Sequence, residues 1–197
     1  FASWDHIAKF ALKTVRSAKG SYKSLYSRAL WSGSHVAGCL YKLKHPHIYW
    51  EAEFSDPLCF DSSGNRRIGE ITRNGVTAKL CRAIKKAGWE EVRLDSHFAL
   101  TELATFLLAN KLSFSNENQL NEVLKTYPRA LQQLVRGKSI IAPQPVPPPA
   151  AYDAVPVAIQ ICKDSLNIGY FGSFYANRGL NDLIAAASSE RIRAQDV

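Results

Sequence analysis

The 197-residue chain is 46% hydrophobic and 21% charged, enough apolar material for a sizeable core, which excludes a disordered or fibrous protein. Lysine and arginine number 25 against 17 acids, a formal charge of +8, and so basic a chain ordinarily meets phosphate, nucleic acid or an anionic membrane surface. Residues 1–49 hold eight bases and one acid, Asp5, so +7 of the total belongs to one end. Cys39, Cys59, Cys81 and Cys162 lie far apart with no Cys-x-x-Cys pair and no neighbouring histidine pair. That spacing points to neither a zinc site nor a disulfide framework, and to a reducing compartment. No apolar run approaches the ~20 residues that span a bilayer. The lack of methionine, even at position 1, reads as an internal piece of a longer protein.

In chain order, residues 4–19 place Trp4, Ile7, Ala8, Ala11, Leu12, Val15 and Ala18 on one helical face and Lys9, Lys13 and Arg16 opposite, with Gly20 as a stop. The basic face suits anionic lipid with Trp4 at the interface, whereas the small, alanine-rich inner face suits a surface helix packed on a sheet. Residues 22–29 are short and aromatic, Ser32-Gly33-Ser34 can cap a helix over 35–44, and 47–54 reads as a strand. Strand, helix, strand is a βαβ unit.

A loop covers 55–75, a helix 76–87 ends at Gly88, and a second helical stretch covers 97–109. A strand is predicted over 111–115. Asn116 with Gln119 resembles a capping box, and Pro128 suits the first turn of a helix to 136, closed by Gly137 before a strand over 139–142. The alternation predicts an α/β fold: a mainly parallel, Rossmann-like sheet covered by helices. Six of the nine prolines fall between 143 and 156, predicting a stiff, largely extended linker over 144–157. Residues 166–171 then read as a strand, Gly172 to Asn177 as a turn, and 178–187 as a helix with Leu180, Leu183, Ile184 and Ala187 inward. The expected organisation is 1–143, most of one domain; 144–157, the linker; and 158–197, the first strand-helix unit of a second domain.

Three places suggest chemistry. Gly172 and Ser173 lead a strand into a helix start, where backbone N–H groups and the helix dipole favour phosphate, and Arg178-Gly179 could add a fixed charge; from local sequence alone an ordinary βα turn is the stronger reading, since a lone glycine is much weaker than a full fingerprint. Glu51, Glu53 and Asp56 end the second strand, at the carboxyl edge where open α/β sheets bind ligands, so Glu53 or Asp56 could serve as general base; a satisfied turn at Asp56-Pro57 is the plain alternative. His35 lies at the same edge and could meet a ligand or simply cap its helix. Arg66 and Arg67 in the long loop could contact an anionic acceptor or be solvated. No histidine pair with carboxylates has metal spacing, so no metal site is expected.

Four segments together carry a family likeness: Tyr26-Ser27-Arg28 followed by His35; Trp50-Glu51-Ala52-Glu53-Phe54-Ser55-Asp56-Pro57-Leu58 with Asp61 and Gly64; Leu112-Ser113-Phe114-Ser115-Asn116-Glu117-Asn118-Gln119; and Ile168-Gly169-Tyr170-Phe171-Gly172-Ser173-Phe174-Tyr175-Ala176-Asn177-Arg178-Gly179. In this order the chain resembles bacterial glycosyltransferases of the two-domain type B fold that act in capsule and lipopolysaccharide assembly.

The resemblance implies transfer of a sugar from a nucleotide-diphosphate sugar to a glycan or lipid-linked acceptor, without a catalytic metal or other cofactor, at the cytoplasmic face of a membrane. It places Gly172, Ser173, Arg178 and Gly179 near the donor diphosphate. His35, Glu53 and Asp56 would face the acceptor side of the cleft, with Arg66 and Arg67 near an anionic acceptor and Lys9, Lys13 and Arg16 toward lipid. The basic pair and paired glutamates that such enzymes carry later in the donor domain have no counterpart before Val197, so the isolated chain is expected to be inactive. The competing readings are a basic, non-enzymatic domain binding nucleic acid or a membrane surface, and a catalytically idle sugar-binding relative.

Overall fold

The computed structural model of the chain describes residues 3–61, 64–143, 145–153, 163, 167 and 179–189. Two compact units divide it, 1–144 and 145–197.

The first unit is built on four parallel strands, β1 (Ser24–Arg28), β2 (Tyr49–Phe54), β3 (Lys111–Phe114) and β4 (Ser139–Ile141), paired in the order β1-β2-β3-β4. α1 (Trp4–Ser17) precedes the sheet. The crossovers are α2 (Ser32–Lys44), then α3 (Gly75–Lys86) with α4 (His97–Leu108), then α5 (Glu117–Leu124) with α6 (Arg129–Arg136). This is the Rossmann-like α/β arrangement that the strand-helix alternation predicts.

Strand order and side-chain alternation together decide which face holds the core. Strands added one after another in a single direction, joined by right-handed crossovers, lay their connecting helices on the same face of a sheet. On β2, Trp50, Ala52 and Phe54 are buried, while Tyr49, Glu51 and Glu53 point to the other face and stay exposed or half-buried. The parallel register puts Tyr26, Glu51 and Lys111 side by side on that second face, followed by Arg28, Glu53, Ser113 and Ile140.

On the core side, Phe54 stacks on Phe114 at 5.2 Å and meets Phe106 of α4 at the same distance. α4 is buried continuously from His97 to Phe106, as a helix apolar on nearly all sides must be. α2 comes so close to β2 that a Cβ on Gly38 would stand 2.5 Å from the Trp50 indole, so only glycine fits there. Trp4 anchors α1 by donating its indole N–H to Thr77 Oγ1 of α3, 2.8 Å away, and by stacking on His97 of α4 at 5.6 Å.

Several local readings need correction. α2 begins at Ser32 rather than 35, its N-cap is Trp31, and the Ser34 hydroxyl donates to the Arg28 and Trp31 carbonyls instead of capping. Asn116 does accept from Gln119 N at 2.8 Å, but the Gln119 side chain reaches back to Ser115 N at 3.0 Å, one residue earlier than a capping box requires. α3 ends as expected, with Gly88 at φ +79.

In the second unit, a short helix α7 (Pro149–Asp153) stands inside the segment expected to be extended. Its one proline, Pro149, is the first helical residue, where the missing N–H has no helical partner to lose, and Ala151 N donates to Pro148 O, just before the helix, at 2.8 Å. α8 (Leu180–Ala187) starts after Gly179, which caps it at φ +70. Leu180 and Leu183 are half-buried, but Ile184 and Ala187 are exposed, so the inner face is narrower than the sequence suggests. The strand expected over 166–171 and the turn from Gly172 to Asn177 lie outside the described residues, apart from Asn167. Cys39, Cys59 and Cys81 are free thiols; Cys162 also lies outside. Among the described residues, no helix is long and apolar enough to cross a membrane.

Candidate functional site

The carboxyl ends of β1 and β2 hold a polar cluster of Tyr26, Arg28, Glu53 and Ser55. Arg28, the last residue of β1, lies opposite Glu53 in the register, with Arg28 Nε 2.9 Å from Glu53 Oε1 and 3.1 Å from Ser55 Oγ. Tyr26 donates its hydroxyl to Glu53 Oε2, and this bond, ahead of burial, pushes the phenol up to about 12. Both oxygens of Glu53 are therefore engaged. One register step back, Ser113 donates to Glu51 Oε1 at 2.6 Å and Lys111 to Oε2 at 3.2 Å. The Ser113 hydrogen bond, then the lysine, holds the Glu51 carboxyl below its usual range. Partly exposed pairs such as these add little to stability one by one, but in series they fix side-chain geometry.

Asp56, two residues beyond β2, is exposed and makes no hydrogen bond or ion pair among the described residues. Of the carboxylates that end this strand, it is the one with neither oxygen engaged by a described residue.

His35 is placed differently from the expectation. It has no exposed surface and lies on the core side, between Trp50 and Phe54, with ring centroids 6.4 and 4.9 Å away. Trp50 donates its indole N–H to Ser27 Oγ at 2.9 Å, and that oxygen lies 2.7 Å from His35 Nδ1, where its single proton can be given to the ring. Burial lowers the imidazole to about 3, offset only in part by the Glu53 backbone, so the ring is neutral. His35 ties α2 to β1 and β2 from within, and does not face an open acceptor side.

Arg66 and Arg67 separate. The 60–66 pairing turns Arg66 to Asp95, 3.1 Å away, and over the Phe60 ring. Arg67 lies over Phe98 at 5.7 Å and lines a cavity of about 180 Å³ with Ala29, Leu30, Ser32 and His97, at the end of β1 and the start of α2. His97 is a residue the sequence reading missed. It is 3% exposed, its Nδ1 has no partner, and burial lowers its pKa. Nothing in the sequence beyond a histidine opening a helix marks it, because Trp4 and Gly69, which bracket it, are remote in the chain.

Of the residues expected at the donor phosphate, Gly172, Ser173 and Arg178 lie outside the described residues, and Gly179 is the N-cap of α8. Lys9, Lys13 and Arg16 are exposed along the outer side of α1. Among the described residues, no group of three or more His, Cys, Asp or Glu side chains is arranged to hold a metal ion. No family model matches the chain, and no similar protein was found among curated proteins or solved structures.

Proposed function

We propose that this chain is the acceptor side of a glycosyltransferase of the two-domain type B kind, which moves a sugar from a nucleotide-diphosphate sugar to a hydroxyl of a glycan or lipid-linked acceptor. The observation that carries the reading is Asp56: a carboxylate at the carboxyl edge of a parallel sheet, exposed and without a partner among the described residues, beside a carboxylate held by Arg28 and Tyr26. Ligands of open α/β sheets bind outside the carboxyl ends of the strands where strand order reverses; the described strands share that carboxyl edge but not the reversal, so Asp56 alone marks the place.

In the proposed reaction, Asp56 accepts the proton of the acceptor hydroxyl as its oxygen bonds to the anomeric carbon. The bond from that carbon to the diphosphate oxygen breaks, and the nucleoside diphosphate leaves with the electron pair. Positioned bases of this kind contribute about 10²–10⁴ in rate. Glu53 is assigned to geometry instead: with both oxygens occupied it holds Arg28 and Tyr26 at the rim, where their remaining polar surface can orient sugar hydroxyls. The leaving diphosphate needs backbone N–H groups and basic side chains, the role that the likeness gives to Gly172, Ser173, Arg178 and Gly179.

The test is sugar transfer by the protein that contains this chain, with uridine- and guanosine-diphosphate sugars and a lipid-linked or oligosaccharide acceptor, alongside calorimetric binding of the same nucleotides. Acceptor-dependent release of nucleoside diphosphate is expected. Absence of both nucleotide affinity and release would overturn the proposal.

A further inference from the structure

The basic charge of this protein is not confined to the outer side of α1. α1 carries three cations, α2 two and α3 four, against one acid on the three helices together, Asp5, which accepts hydrogen bonds from Thr72 and Asn74. Lys42 is bonded to the Ile48 carbonyl and to Asn110. The remaining eight are Lys9, Lys13, Arg16, Lys44, Lys79, Arg82, Lys85 and Lys86.

Between the three helices runs an open groove of about 420 Å³. Leu12, Val15, Leu40, Leu43 and Ala83 line it as apolar floor, and its charged lining is Lys44, Lys79, Arg82 and Lys86 with no acid among them. None of these four takes part in an ion pair with the described residues. A groove whose charged lining is all of one sign focuses field on an anionic partner.

We propose that this face is the surface on which the protein docks to an anionic phospholipid bilayer, with the groove receiving a lipid whose phosphate meets Lys44, Lys79, Arg82 and Lys86 and whose chain covers the leucine floor. Two observations choose the bilayer over other polyanions. The cations extend past the groove along the outer side of α1 and the end of α3, so the partner is wider than a peptide helix lying in the groove. The floor is apolar, which a phospholipid can cover and the phosphate backbone of a nucleic acid cannot. Ammonium groups also suit phosphate as point charges without bidentate geometry, and each cation near such a surface adds to the attraction.

The experiment is co-sedimentation of the full chain with vesicles of phosphatidylcholine alone and of phosphatidylcholine mixed with phosphatidylglycerol. It compares wild type with Lys79→Glu/Arg82→Glu and with a charge-matched control, Lys125→Glu/Arg129→Glu, away from α1–α3. All four side chains are exposed, and thermal melts confirm that the variants fold. Binding to the mixed vesicles only is expected, weakened by about tenfold or more in the α3 variant and by clearly less in the control. Equal binding by the α3 variant and wild type, an equal loss in the control, or displacement from the vesicles by duplex DNA at matched phosphate concentration would overturn the proposal. No sugar transfer is measured, so failure here leaves the glycosyltransferase reading untouched, and failure of that reading leaves this one.

Discussion

The two faces of the sheet are made from the same strands and have opposite character. On one, Trp50, Ala52, Phe54, Leu112 and Phe114 are fully buried against helices. On the other, Tyr26, Arg28, Glu51, Glu53, Lys111 and Ser113 form a ladder of hydrogen bonds and ion pairs that remains partly solvated. Parallel sheets usually carry helices on both faces, and the second face is covered where strand order reverses at a switch point. Among the described strands, the order β1-β2-β3-β4 contains no such reversal. One face therefore supplies stability and the other is left with polar chemistry, with Asp56 at the rim between β2 and the loop.

The sharpest way to break this contrast is truncation on the buried face. Phe54→Ala removes a ring packed against Phe106, Phe114 and His35, and is expected to cost about 3–5 kcal/mol in urea unfolding.

Acid should act through the same face. His35 has a folded-state pKa of about 3, below its ordinary 6.5, so the unfolded chain binds the extra proton between those values. Its penalty is absent above about pH 6.5 and grows as pH falls toward 3, reaching about 3 kcal/mol near pH 4. A His35→Gln variant, with no titrating ring, is expected to lose this part of the acid dependence when urea midpoints are compared at the two pH values.

Next in size, Gly38→Val forces a side chain into the Trp50 ring and should cost about 1–3 kcal/mol by the same measurement. On the solvated face, Arg28→Gln breaks an ion pair whose arginine is 47% exposed and should change stability by less than about 1 kcal/mol. An unfolding cost for Arg28→Gln equal to that of Phe54→Ala would erase the distinction between the faces.

Local patterns were readable where chemistry is local. The apolar spacing of α1, the glycine that ends α3 and the alternation along β2 identify their elements within a few residues. The start of α2 was not readable, because Ser32-Gly33-Ser34 looks like a cap while the hydroxyl that matters closes on the Arg28 carbonyl, six residues earlier. The linker prolines hid α7, since proline at a helix start looks the same in sequence as proline in an extended segment. Candidate site residues fared according to how far away their partners lie. Glu53 and Asp56 are singled out by their place at a strand end, but nothing adjacent shows that both oxygens of Glu53 are engaged by Tyr26 and Arg28, 27 and 25 residues earlier, or that those of Asp56 meet no described residue. His35 looks like an edge residue until Trp50 and Ser27 enclose it. The buried Glu102, which accepts from Tyr127 at 2.8 Å and whose carboxyl is raised by burial, has no signal short of the fold itself.

The central claim, that the rim of the solvated face performs sugar transfer with Asp56 as base, is tested most directly by steady-state kinetics of Asp56→Asn beside wild type in the protein that contains the chain. The account predicts unchanged urea stability, unchanged nucleotide-sugar affinity and a fall in kcat of about a hundredfold or more. Turnover equal to wild type, with the variant folded and saturated by donor, would contradict it.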